Sequence, residues 1–210
     1  MTIAVINEVS AAQKNGDIVR ALQDRGHQIL NCGMTGEDTG PELNYLHTGF
    51  LAGYLLGKGL VDLVVGGCGT GQGFLNSALQ YPGVACGLLR TPLDAALFAR
   101  INGGNCISLA LNEGYGWGGD VNLALLFDAF FASEIGSGFP EHRKEPQRAS
   151  RRALNGISIA CHKDWDGILA SLPKDFVDHC LGFPAVRGVL DMDADGISGR
   201  TGTEGNSGGR

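Results

Sequence analysis

The sequence lacks several features that mark common classes of protein. No apolar run reaches the length that spans a bilayer, and the strand-like start Ile3–Ile6 follows no basic leader, so we expect neither a membrane segment nor a signal peptide. Charged residues make up only 18% of the 210 residues, and the formal net charge is −6. A nucleic-acid-binding protein usually carries a basic face, so this class is not expected.

The sequence also lacks a Cys-x-x-Cys pair, although it contains six cysteines. Three of them, Cys32, Cys86 and Cys106, lie in apolar runs that are typical of strands. This distribution favours reduced, mostly buried thiols over a disulfide framework. We therefore expect a soluble cytoplasmic protein.

Cofactor and metal motifs are missing as well. In the glycine-rich segment Gly66–Gly73, the dinucleotide pattern fails because Phe74 occupies the position of its third glycine, and no Lys-Ser/Thr pair completes a Walker A loop. The segment Asp191–Gly196 imitates the start of a calcium loop, but the twelfth loop position is Gly202 instead of a bidentate Glu. We expect neither a cofactor nor a metal.

What is present is a regular alternation of apolar runs and amphipathic stretches. It predicts an α/β fold, Rossmann-like and doubly wound, with a parallel five-stranded sheet whose working site lies at the carboxyl ends of the strands. The helical stretches begin near Ala12, Leu43, Phe74, Pro92 and Asp120. The predicted strands are Ile3–Asn7, His27–Cys32, Val61–Gly67, Val84–Leu89 and Ile107–Leu111.

The composition changes near residue 141, which predicts two parts: an α/β domain over 1–152 and a C-terminal extension over 153–210. Glu141–Arg152 is strongly basic and is expected to form a helix that leaves the main domain. Asn155–Val186 is expected to be helical, and the last 25 residues, rich in Gly, are expected to be loop.

The most informative residue is Cys68, which lies inside the glycine-rich segment directly after the strongest predicted strand. A strand that ends in glycines and restarts as a helix exposes backbone N–H groups, which can hold a developing oxyanion. A helix N-terminus also favours the thiolate form of a cysteine, and a thiolate can remove a proton next to a carbonyl. The alternative is a small residue in a tight turn with an inert thiol.

The segment Gly67-Cys68-Gly69-Thr70-Gly71 resembles the strand-end motif of the family of type B ribose-5-phosphate isomerases and galactose-6-phosphate isomerase subunits. The resemblance covers roughly the first 150 residues. Weaker similarity supports it in three further segments: Asn44–His47, Pro82–Cys86 and Ala99–Asn102.

The resemblance implies an aldose–ketose isomerase that needs no metal or cofactor and works as a homodimer or dimer of dimers with shared active sites. Cys68 would be the base, and Thr70 would lie near the substrate oxygens. Substrate-binding residues would include an oxyanion cradle of Gly69, Gly71 and Gly73, and a phosphate site of Arg143 and Arg148 from the neighbouring subunit. Glu8, His47 and Asn102 complete the predicted substrate-binding set, although His47 can also be read as a polar helix residue.

Two positions depart from the family pattern. Glu8-Val9 stands where an Asp-His pair is common, and Asn102 replaces a histidine associated with opening the sugar ring. An asparagine amide cannot exchange a proton near neutral pH. Either another group opens the ring, or the substrate reacts in open-chain form, or the activity has changed.

The sequence thus predicts an isomerase that interconverts a small sugar phosphate by cysteine-mediated proton transfer through an enediolate. Three alternatives remain open: an isomerase of a tetrose phosphate, an isomerase of a non-phosphorylated sugar, and a non-catalytic subunit of an isomerase complex.

Overall fold

The computed structural model describes residues 1–38 and 40–196, with side chains described up to residue 193. Its centre is a five-stranded sheet in the order β2-β1-β3-β5-β4, with every pair parallel. The strands are β1 (Thr2–Asn7), β2 (Gln28–Asn31), β3 (Leu63–Cys68), β4 (Cys86–Leu88) and β5 (Cys106–Ala110). The predicted fold class is confirmed.

Helices cover both faces of this sheet. In chain order they are α1 (Asn15–Leu22), α2 (Tyr45–Gly57), α3 (Gln72–Ala78), α4 (Pro92–Leu97), α5 (Gly119–Phe131), α6 (Lys144–Cys161), α7 (Trp165–Ser171), α8 (Lys174–Leu181) and α9 (Pro184–Gly196). A 3-10 helix (Val9–Lys14) follows β1, another (Glu141–Arg143) precedes α6, and a π-helix (Phe98–Asn102) continues α4.

The alternation of side chains along each strand builds two separate cores. On β1, Ile3 and Val5 join the core shared with α1, α4 and α5, whereas Ala4 and Ile6 join the core shared with α2, α3 and the C-terminal helices. All four residues are fully buried. Successive strand side chains point to opposite faces, so a sheet covered on both sides needs apolar residues at every position.

The C-terminal helices attach to the outer surface of α2. The Trp165 ring stacks on Tyr81, with centroids 5.7 Å apart and an angle of 10° between the planes. A Cβ atom at Gly57 would lie 1.8 Å from the Trp165 Nε1 atom, so the indole packs directly against the glycine backbone of α2. Cys180 and Val186 are fully buried in the same core, which makes α8 and α9 part of it.

The structure corrects one prediction in this region. Residues 186–196, expected to be loop, belong to helix α9. Val186 and Val189, three residues apart, share a helix face and become buried, and this packing stabilises a helix that the acidic, Gly-containing sequence does not announce. The segment that imitates a calcium loop is therefore helical. Residues 197–210, with Gly202 and the rest of the Gly-rich segment, lie outside the described residues.

Helix α6 runs without a break from Lys144 to Cys161, so the domain boundary predicted at residue 152 falls inside a helix. The division into two domains remains a prediction. Of the helices in the described part of the chain, none combines the length and the apolar character that crossing a membrane requires.

Candidate active site

The candidate site lies where the order in which the chain adds strands to the sheet reverses. From β1 the chain builds outward to β2 on one side, and then returns to place β3 on the other side of β1. In open α/β sheets, ligands bind in the crevice at the carboxyl ends of two such strands. Glu8 follows the last residue of β1, and Cys68 is the last residue of β3, so the two residues lie at the carboxyl ends of the two strands that flank this switch point.

Cys68 is held by close packing of its strand. A Cβ atom at Gly67 would come within 2.4 Å of the Leu109 carbonyl oxygen, so glycine lets β3 and β5 approach at this point. The Leu111 N–H donates to the Cys68 carbonyl oxygen at 3.0 Å. The residue is 6% exposed and belongs to the core on the α2 side. The thiol is thus largely shielded from water; in the loop after it, Gly69 is half-buried, Thr70 is exposed and Gly71 is buried.

The backbone donors of the predicted cradle differ from one another. The Gly69 N–H donates to Ser10 Oγ at 3.2 Å, so this amide is already occupied. The Thr70 and Gly71 amides have no acceptor among the described residues. Thr70 is exposed, and its Oγ1 accepts a hydrogen bond from the Gln72 N–H at 3.3 Å. The Gly73 amide, in the first turn of α3, likewise has no acceptor among the described residues, so the available donors are those of Thr70, Gly71 and Gly73.

Side chains after three strands tie this edge of the sheet together. The Ser10 hydroxyl donates to Glu8 Oε1, and Asn112 Nδ2 donates to the Ser10 carbonyl oxygen at 2.8 Å. The backbone amides of Asn112 and Glu113 both donate to the Gly69 carbonyl oxygen at 2.9 Å. Ser10 and Asn112 were not predicted, although each follows a strand at its carboxyl end, which is the signal that would have found them.

His47 is engaged in other contacts. Its Nδ1 accepts a hydrogen bond from the Asn44 N–H at 3.1 Å, as part of a capping box at the start of α2. Its ring stacks on His179 of α8, with centroids 4.3 Å apart. Burial, and second the nearby His179, lower the pKa of His47. These contacts assign His47 to helix capping and to packing of α8, and its role in substrate binding stays a prediction.

Three of the other thiols are unsuited to acid–base chemistry. Burial raises the pKa of Cys32 and of Cys180 to about 12 in each case. Burial also raises the pKa of Cys106 well above its ordinary value, and the neighbouring Cys86 adds to the shift. These three groups therefore remain thiols near neutral pH.

The remaining predicted residues lie at the opposite end of the strands, near the amino end of β5. Asn102 ends the π-helix that precedes β5, and it lines a groove of about 640 Å³ together with Arg143. Arg148 does not line this groove, and its Nη1 lies 3.6 Å from Glu145 Oε1. Arg151 donates to the carbonyl oxygens of Ile101 at 2.8 Å and Gly136 at 2.9 Å, and so fixes α6 against the π-helix.

The structure therefore separates the predicted site into two groups. The Cys68 group, with Glu8, Thr70 and the loop glycines, lies at the carboxyl ends of β1 and β3. The Asn102–Arg143 group lies at the amino end of β5, where Val64 of β3 pairs with Cys106. Cys68 lies four residues after Val64 on β3, and at about 3.3 Å per residue this distance exceeds 10 Å. One chain therefore does not bring the two groups together.

Comparisons with known proteins agree with this architecture. The profile described as Ribose/Galactose Isomerase matches residues 3–147. A crystal structure of a 4-deoxy-L-threo-5-hexosulose-uronate ketol-isomerase complexed with a tartrate is 33% identical, with a TM-score of 0.87, and the match covers 94% of this chain and 100% of that one. A ribose-5-phosphate isomerase from Vibrio parahaemolyticus is 39% identical, with a TM-score of 0.87, over 91% of this chain and 92% of that one.

The length of these matches separates two kinds of relative. Both proteins named above are matched over more than nine-tenths of this chain, and so the matches include most of its C-terminal helices. A ribose-5-phosphate isomerase B from Clostridium thermocellum is 18% identical, covers 75% of this chain and 97% of its own, and has a TM-score of 0.61, which shows a shared fold only. The chain therefore belongs to the ribose/galactose isomerase family of sugar isomerases.

Proposed function

We propose that this protein is an aldose–ketose isomerase in which Cys68 moves a proton between the two carbons of an enediolate. The observation that carries the proposal is the placement of Cys68 at the end of β3, next to the switch point between β1 and β3 and two residues before the first loop amide without an acceptor. A base and oxyanion donors close together in one loop are what enolisation next to a carbonyl requires.

The geometry supports a simple sequence of events. The Cys68 thiolate removes the proton from the carbon next to the carbonyl, and the electrons of the C–H bond form the C=C bond of the enediolate. The Thr70 and Gly71 amides stabilise the negative charge on the former carbonyl oxygen. The thiol then returns the proton to the neighbouring carbon.

The anionic end of the substrate would be bound by a second copy of the chain. The Asn102–Arg143 group cannot reach Cys68 within one chain, so a complete site needs a partner that brings the two groups together. The exposed apolar residues Leu154 and Ile157 line the groove beside Asn102, with exposures of 61% and 58%. Exposed apolar side chains that line one groove are typical of a surface that contacts another protein. A homodimer with shared sites accounts for both observations.

Two classes of substrate fit this arrangement. A small sugar phosphate would place its phosphate on Arg143, since a guanidinium matches phosphate geometry. A sugar acid would place its carboxylate there. The similarity to a uronate ketol-isomerase is compatible with this second class, as the similarity to a ribose-5-phosphate isomerase is with the first. Asn102 also fits a substrate that reacts in open-chain form, because such a substrate needs no histidine to open a ring.

The first experiment is to incubate the purified protein with aldose phosphates and hexuronates in D₂O and to follow both conversion and deuterium incorporation by NMR. We expect deuterium at the carbon next to the carbonyl of the substrate that is converted. Cys68→Ala should lower kcat by roughly a hundredfold to ten-thousandfold, the usual contribution of a proton-transferring side chain. Cys180→Ala, which alters a thiol of α8 outside both groups, is the control and should remain active. A Cys68→Ala enzyme with near-normal kcat would refute the mechanism.

A further inference from the structure

We propose that Glu8 carries the second proton of the reaction, the one that passes between the two substrate oxygens, and that Ser10 holds Glu8 in position for it. This inference rests on the proposed function. It assigns a catalytic role to Glu8, which the sequence placed only among substrate-binding residues, and a positioning role to Ser10, which the sequence did not single out.

The chemistry requires two proton transfers. Conversion of an aldose to a ketose moves one proton from C2 to C1 and another from the C2 hydroxyl to the former C1 carbonyl oxygen. Cys68 accounts for the carbon proton: the C2–H bond breaks and the C1–H bond forms. A carboxylate that takes the proton from the C2 hydroxyl and delivers it to O1 accounts for the other. Both groups end in the state in which they began, so no oxidant or reductant is needed.

Glu8 is unusual among the acidic residues of this protein. It is 6% exposed, and it is the only acidic side chain that is buried among the described residues. Within the same part of the chain, no Lys, Arg or His nitrogen lies within 4.0 Å of its carboxylate, and only Ser10 donates a hydrogen bond to it. Burying a carboxylate without a cation is costly, so a group retained in this state is a candidate for function.

A structural role does not account for the Glu8 side chain. Glu8 is the N-cap residue of the 3-10 helix after β1, yet its side chain makes no capping hydrogen bond. Asn7, its neighbour, shows what a structural residue does at this place: its Nδ2 donates to the Ala11 and Met34 carbonyl oxygens, and its Oδ1 accepts from Asn15. The side-chain hydrogen bonds that stabilise this turn are therefore made by Asn7.

The carboxylate also lies beside the loop that would hold the oxyanion. The Glu8 N–H donates to the Gly67 carbonyl oxygen at 3.1 Å, which fixes Glu8 against the end of β3. Ser10 uses its hydroxyl proton for Glu8 and its oxygen for the Gly69 N–H. One hydroxyl therefore sets the position of the carboxylate relative to the Thr70 and Gly71 amides, where the reacting oxygens would lie.

The test compares two rates in the same D₂O reaction: deuterium exchange into the recovered starting sugar and net isomerisation. Exchange needs only the enediolate and Cys68, because the proton can return to its original carbon, whereas isomerisation also needs the oxygen proton to move. In Glu8→Gln we expect isomerisation to fall by roughly a hundredfold or more. Exchange should fall much less, so that the ratio of exchange to isomerisation rises at least tenfold.

Ser10 variants provide the second measurement. Ser10→Ala removes the donor to Glu8 and should raise the same ratio by a smaller factor, and Ser10→Thr, which keeps the hydroxyl, should restore it. If Glu8→Gln does not fold, the Ser10 pair carries the test. Equal losses of exchange and isomerisation in Glu8→Gln, or an unchanged rate of isomerisation, would overturn the role of Glu8 and leave Cys68 as the base. A wild-type protein without exchange or isomerisation on any sugar would instead overturn the proposed function, and the role of Glu8 with it.

Discussion

At the scale of single residues, Gly71 carries two separate constraints. Its φ is +75°, a conformation that L-residues with a side chain rarely adopt. In addition, a Cβ atom at this position would lie 2.4 Å from Leu88 Cδ1 and 3.1 Å from the backbone of Leu109. The position therefore excludes a side chain both by its backbone conformation and by its surroundings, and the free amide that it presents depends on both.

We predict that Gly71→Ala destabilises the protein more than Gly114→Ala. Gly114 has a nearly equal φ of +72°, but a Cβ atom there would meet nothing within 4 Å, so this variant isolates the backbone term of about 1–2 kcal/mol. Overpacking should add about 1–3 kcal/mol at Gly71. Urea denaturation of both variants measures the difference. Equal losses would show that the neighbours of Gly71 move aside without cost.

Residue identity alone predicted the Cys68 loop but not which of its amides is free. Glycine spacing and the strand before it indicated a cradle, because both are local properties of the chain. That Ser10 occupies the Gly69 amide depends on a contact across 59 residues, which only the folded sheet creates. The same holds for Glu8, whose burial and single donor follow from the packing of β1 against β3.

At the scale of elements, the junction between α2 and α8 depends on a pair of stacked histidines. His47 caps α2 and contacts Phe176 as well as His179, with ring centroids 5.3 Å apart in the first pair. His179 Nε2 hydrogen-bonds the Glu42 carbonyl oxygen at 2.8 Å. The pKa of His47 is lowered by burial and by His179, so the folded state favours the neutral ring.

This junction predicts a dependence of stability on pH. The pKa of His47 is lower in the folded protein than in the unfolded chain. Above the ordinary histidine pKa the ring is neutral in both states, so it does not lower the free energy of unfolding there. Stability is lost as the pH falls through that value toward the lowered one. Between about pH 7.5 and 5.5, wild type should lose more unfolding free energy than His47→Gln, which keeps a residue suited to the capping box. Parallel losses in urea titrations of the two proteins would contradict this assignment.

The strands and the helices of the α/β part could be predicted from periodicity, because each of them buries an apolar face that the sequence displays. Helix α9 could not, since its apolar residues are few and its Asp and Gly residues favour loops. Its stability comes from Val186 and Val189 packing on a core formed by residues far away in sequence. Similarly, α6 was predicted to end at residue 152 because its charge pattern ends there, whereas the helix continues to Cys161.

At the scale of the whole molecule, the separation of the two groups is the dominant feature. The family resemblance implied that Arg143 reaches the site from a neighbouring subunit, but nothing in the sequence indicated that Asn102 lies with Arg143 at the end of the strands opposite Cys68. The position follows from strand direction: Cys68 ends a parallel strand, and Asn102 precedes one. In the function that we propose, the site therefore forms between two copies, with each copy supplying one group to each site.

Complementation between inactive variants tests this account most directly. Cys68→Ala and Arg143→Ala chains that carry different tags would be co-expressed. One sample is assayed as the unfractionated mixture, and from another the mixed dimer is purified through both tags in turn. Half of the dimers in a random mixture are mixed, and each mixed dimer holds one intact site, so we predict about a quarter of wild-type activity in the mixture. Cys68→Ala with Glu8→Gln, two changes in the same group, should recover none. Activity of the first mixture no higher than that of the separate variants would contradict a site shared between two chains.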